Sequence, residues 1–188
     1  EASANSVQWL KDHGVAFQPP LGGTLHLGRT NAFFLGGGKA VMNALFQCAD
    51  KLNITVVYDA LDIQLDVDNG VFKRVDYSHQ GNTEHLTAAS LVVAAGGFEA
   101  NLEWLSEAWG DAALNFLVRG TPYNRGDILR QLLAANAVQI GDARQCHAVA
   151  IDGRAPQFDG GICSRIDCVP LGIVVNNQAV RFYDEGED

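Results

Sequence analysis

The chain has 188 residues, 47% hydrophobic and 19% charged, a globular composition with enough apolar material for a core. Its formal net charge of −9 opposes broad attraction to nucleic acid or to an anionic membrane surface, so no nucleic-acid partner is expected. No apolar run reaches the length of a membrane span and no basic, apolar leader opens the chain, which points to a cytoplasmic protein.

Ser6–His13 reads as a short helix closed by Gly14, with Val7 and Leu10 on one face. Gln18–Gly23 is a loop by its Pro and Gly content, and Leu25–Leu27 a brief strand. Gly36–Gly38 precede Lys39–Leu52, where Val41, Ala44, Leu45, Cys48 and Leu52 recur at helical spacing. Those glycines expose backbone N–H groups that suit an anion, or they simply give the helix a flexible start; the two readings weigh about equally. Ile54–Tyr58 is β-branched and apolar and predicts a buried strand.

Ile63, Leu65 and Val67 then alternate, Asn69-Gly70 turns the chain, and Val71–Tyr77 returns. A second turn at Gly81-Asn82 leads into Thr83–Thr87, which completes a three-stranded antiparallel meander. Ser90–Ala95 follows as another buried strand ending in Gly96-Gly97. Asn101–Trp109 is a helix with Leu102, Leu105 and Trp109 on one side, and Asn115–Gly126 a loop. Asp127–Ala137 is a helix with Ile128, Leu129, Leu132 and Leu133 as its buried stripe and Asp127 as its N-cap. After Gly141, Gly, Asp, Arg, Pro and Cys dominate, until Gly172–Val175 and Val180–Tyr183 form a hairpin around Asn176-Asn177. The predicted fold class is α+β (α/β), with a domain boundary near Arg144 dividing residues 1–144 from 145–188.

The four cysteines, Cys48, Cys146, Cys163 and Cys168, lack zinc spacing and read as reduced thiols, and no metal site is expected. No GxGxxG occurs, so the phosphate-binding first unit of a dinucleotide-binding domain is missing. With no initiator Met and a stop at RFYDEGED just after a strand-like run, the chain reads as an excised piece. Taken alone, such a piece is expected to hold no dinucleotide cofactor and to be inactive, because the pyrophosphate seat is absent.

Several strings share a resemblance. AAGGFEAN fits an A-x-GGF-x-x-N pattern, GTPYNRGD a glycine turn that opens a helix, QCHAVAID a Gln-x-His segment, and RFYDE an RF-x-x-E signature. Together they resemble the fumarate reductase/succinate dehydrogenase flavoprotein family, and QCHAVAID, taken with FFLGGGKA, AAGGFEANLEWL, RGTPYN, FDGGI, DCVP and GIVVN, points within it to the tricarballylate dehydrogenase subgroup. The resemblance implies a partial FAD-binding domain followed by the beginning of a substrate-capping domain.

For the cofactor, it implies FAD held by backbone at Ala95, Gly96 and Gly97, by the turn residues Asn124 and Asp127, and on its adenosine side by Ala60 and Leu61. His147 would bond a substrate carboxylate and Glu185 would belong to a proton relay, with the catalytic Arg beyond Asp188. Ile128 stands where a second turn glycine is common, and Ala148 where a Pro usually follows the His. Arg154 and Arg165 can fork onto carboxylates, but surface arginine is the commoner explanation. The activity implied is dehydrogenation of a small polycarboxylate, tricarballylate to cis-aconitate, with hydride passing to flavin and electrons to a membrane iron–sulfur partner. Fumarate, urocanate or a 3-ketosteroid are the substrates of the nearest rival readings.

Overall fold

The structure is a computed structural model and describes residues 2–19, 32–145, 149–158 and 165–187. The expected strand at residues 25–27, and Cys146, His147 and Cys163, lie outside the described residues. The chain divides into two compact units, Glu1–Tyr58 and Asp59–Asp188.

The first unit carries α1 (Ser6–Asp12) and α2 (Gly37–Lys51), close to the spans the periodicity predicts. Phe17 and Phe34 form an antiparallel bridge with ring centroids 5.2 Å apart, which closes the connection between the helices. Gly36 caps α2 in the left-handed region at φ 84°. The predicted strand at residues 54–58 is not formed: Ile54 is 55% and Tyr58 62% exposed, although Tyr58 rests near Phe46 at 5.9 Å between centroids. A β-branched run becomes a strand only where a neighbour takes its hydrogen bonds, and among the described residues no strand pairs with this one.

The second unit is built on the meander β1 (Leu61–Asp68), β2 (Val71–His79) and β3 (Asn82–Leu86), paired antiparallel in that order. Both turns have two central residues with positive φ, the geometry that matches the twist of a tight hairpin. They are Asn69 (49°) with Gly70 (76°), and Gln80 (50°) with Gly81 (82°). The second turn thus sits one residue earlier than the expected Gly81-Asn82, because Asn82 already pairs with His79. Tyr77, 6% exposed, faces Glu84 across the strands and donates its hydroxyl to Glu84 Oε2 at 2.9 Å. That bond draws Glu84 below the ordinary carboxylate range and raises the Tyr77 hydroxyl.

Residues 90–95 run without strand pairing, and Val92 is 89% exposed, so the second expected buried strand is also absent, for the same reason. The chain continues into α3 (Leu102–Trp109), a 3-10 turn at Asp111–Asn115, and α4 (Asp127–Ala134). α4 stops before the expected Ala137 because Asn136 turns left-handed at φ 65°. The Ala137 amide then bonds Leu132 O and the Asn136 amide Leu133 O, each at 3.0 Å. The expected hairpin around Asn176-Asn177 reduces to one antiparallel bridge, Val175 to Arg181. Asn176 Oδ1 fills the loop by accepting from the Gln178 and Val180 amides. Among the described residues no helix is long and apolar enough to cross a membrane.

Candidate functional site

Two glycine turns, residues 95–101 and 123–127, are laced together. Gly96 has φ 76°, and a Cβ there would lie 2.7 Å from Asn124 Oδ1. Asn124 Nδ2 donates to Glu99 Oε1 at 2.6 Å, and the Ala100 amide donates to Asn124 O at 2.9 Å. Asn101 works in both directions. Its Oδ1 caps α3 by accepting from the Trp104 amide at 3.1 Å, and its Nδ2 donates to Arg125 O at 3.1 Å.

Behind this lacing lies an aromatic wedge. Phe98 stacks on Trp104 with centroids 4.3 Å apart, and the Arg130 guanidinium sits 4.7 Å from the Trp104 ring. Gly126, at φ 80°, lies directly against it: a Cβ would fall 2.2 Å from Trp104 Cζ3 and 2.7 Å from Phe98 Cβ. Gly126, not Asp127, occupies the N-cap of α4, and Asp127 is the first helical residue. The wedge explains this correction, since only a residue without a side chain fits where the helix begins. Asp127 still places a carboxylate in the first turn, where the helix dipole favours it.

The turns open on a cavity of about 730 Å³, within the range of small-molecule sites. Ala60, Leu61, Ala95, Gly96 and Asp127, five of the residues singled out for the cofactor, line it together. Asn124 stands behind Gly96, and Gly97 faces Glu99, its Cβ position 2.9 Å from Oε2. Gly96 lines the cavity with backbone alone, and the Asn124 side chain takes the place of its missing Cβ. The cavity also takes in Tyr123 and Gln131, which sequence reasoning missed. Gln131 lies four residues after Asp127 on the same helix, hence on the same face, and that spacing was the available signal.

Glu185, the relay candidate, is elsewhere in this unit, 5% exposed in a 3-10 turn at Glu185–Glu187. Its Oε2 accepts from Arg181 Nη2 at 2.5 Å and Nε at 3.0 Å, and its Oε1 from the Val174 amide at 2.5 Å. The Arg181 guanidinium, helped by the Val174 amide, holds the carboxyl at about 2.

Arg154 forks onto Asp152 at 2.9 and 2.6 Å and Arg144 onto Asp142 at 3.0 Å on both arms, while Arg165 pairs with Asp167. The arginine fork pulls Asp152 down to about 2. These arginines serve local Asp partners two residues away, in keeping with the surface reading.

A family model described as FAD binding domain matches residues 1–188, and the chain belongs to this family of FAD-binding oxidoreductases of the fumarate reductase type. FAD is the cofactor of the family. Among curated proteins, the chain is 29% identical over 146 residues to a vinyl phenol reductase of Lactiplantibacillus plantarum. The match covers 74% of this chain, and the chain spans 29% of that relative's length.

Two outcomes are expected. Gly126→Ala forces a Cβ into the Trp104 ring and strains a positive φ, and should destabilise the fold by about 2–4 kcal/mol in chemical denaturation. A change below 0.5 kcal/mol would show that the wedge yields freely. For Glu185, the depressed pKa means that its pairing stabilises the chain above the ordinary 4.5 and loses that effect as pH falls toward about 2. In a carboxyl-carbon NMR titration, Arg181→Leu should move the Glu185 midpoint up toward 4.5; an unmoved midpoint would contradict the pairing.

Proposed function

We propose that the whole protein is an FAD-dependent oxidoreductase acting across a carbon–carbon bond, and that the cavity between residues 60–64, 95–96 and 126–131 holds the flavin nucleotide. The supporting observation is convergence: stretches far apart in sequence, chosen from motif resemblance, meet around one cavity that Gly96 lines with backbone alone. FAD, when bound, supplies the two-electron chemistry. The chain's part is to let its backbone approach at Gly96, to fix the neighbouring turn through Asn124 and Glu99, and to hold the helix start at Gly126.

For the substrate, the motif strings support a small polycarboxylate, with tricarballylate going to cis-aconitate, His147 as carboxylate partner and Glu185 as relay. A membrane iron–sulfur protein would then take the electrons, and residues from 145 onward would begin the cap over the substrate.

A second reading has its own observation. A cavity of about 550 Å³ is walled by Leu105, Trp109, Phe116, Val118 and Ile151, with Asn115, Arg119 and Glu99, which bonds Asn124 beside Gly96, also lining it. Trp109 and Phe116 meet edge to face at 6.0 Å between centroids. The aromatic and aliphatic part of this wall suits a flat apolar alkene. The relative's name, vinyl phenol reductase, leans the same way.

Purified whole protein should carry a flavin absorbance spectrum released by denaturation as FAD. Oxidation of tricarballylate with an artificial acceptor would support the first substrate reading. Reduction of a vinyl phenol without activity on tricarballylate would replace it with the second. Absence of FAD from protein reconstituted with excess cofactor would overturn the proposal.

A further inference from the structure

The start of β1 is irregular. Its register against β2 slips between Leu61 and Gln64, and Asp62 there takes a positive φ of 49°. A slip of this kind leaves backbone groups without a ladder partner and redirects the strand. β1 is also an edge of the sheet, and the Ile63 carbonyl and the Leu65 amide are both met by one side chain from α4. The Leu65 amide donates to Gln131 Oε1 at 2.7 Å, and Gln131 Nε2 donates to Ile63 O at 2.8 Å. The carboxamide thus stands in for the neighbouring strand that residues 63–65 lack on that side. Among the described residues, these two bonds are the hydrogen bonds joining β1 to α4. The clamped segments, residues 60–64 and 126–131, both line the 730 Å³ cavity.

We infer that Gln131 is a positioning residue for that cavity: by clamping the slipped start of β1 to α4 it sets the gap in which the nucleotide is held. This rests on the functional reading above. The side chain must both accept and donate, and it must reach two residues of strand at once. Asparagine is too short for this, and methionine matches the length but makes neither bond. A glutamic acid can replace both bonds only while protonated. Once ionised, it sets a negative oxygen against the Ile63 carbonyl.

The test uses the whole protein with Gln131→Met and Gln131→Glu, and two readouts. The first, taken without FAD, is hydrogen exchange at the Leu65 amide, with β2–β3 amides as the internal control for folding. The second is the FAD dissociation constant by fluorescence titration from pH 4.5 to 8. Wild type should protect Leu65. The Met variant should lose that protection while β2–β3 stay protected, and should bind FAD about tenfold more weakly, the worth of one to two lost hydrogen bonds. The Glu variant should approach wild-type affinity at the acid end and weaken as pH rises, against a flatter wild-type profile.

A Met variant that keeps Leu65 protected, or binds FAD within twofold of wild type, overturns the inference. So does a Glu variant whose pH profile follows wild type. Wild-type protein that binds no FAD overturns the functional reading instead, and Leu65 protection then remains as the test of the clamp.

Discussion

Gly126 has no Cβ, and the Trp104 ring stands 2.2 Å from where one would be. Much of the candidate site follows from this contact. With the ring seated there, Phe98 can stack on one side of it and Arg130 reach over it, which ties the turn after residue 95 to α3 and α4 together. The helix must then begin at Asp127 and point its first turn into the cavity. Gly96 repeats the device on a smaller scale: its missing side chain admits Asn124, and Asn124 carries the tie on to Glu99. Two absent methyl groups and three polar side chains therefore set the wall where bare backbone meets the cavity.

Charge is organised locally in this acidic chain. Arg144, Arg154, Arg165 and Arg181 each hold a carboxylate of their own segment, and Asp152 and Glu185 are pulled down to about 2. The Asp-x-Arg forks tie off irregular loops and leave those guanidinium groups engaged. Exposed forks of this type contribute little to stability. Glu185 differs in its burial, where the Arg181 fork and the Val174 amide together replace the lost water.

Elements whose partners are local were legible in the sequence. The apolar spacing of α2, the alternation of β1 and the Asn69-Gly70 turn each carry their own geometric reason, and they form where expected. Residues 54–58 and 90–95 have strand-like composition, but composition cannot supply a neighbouring strand, and both stay unpaired. The shift of the α4 cap from Asp127 to Gly126 was hidden because its cause, Trp104, lies twenty-two residues earlier in the chain. Residues 60–61, 95–96 and 127, to which the resemblance points, line one cavity, and that cavity is a property of the fold alone. Gln131 belongs to no motif, and its contacts depend on how α4 meets the edge strand β1, which no residue pattern announces.

FAD is proposed to lie against these laced turns. The most direct test is hydrogen exchange on the whole protein with and without FAD. FAD should slow exchange at residues 60–61, 95–97 and 126–129 and leave the Gln80-Gly81 turn unchanged. Slowed exchange confined to other segments, with these three unaffected in FAD-saturated protein, would contradict it.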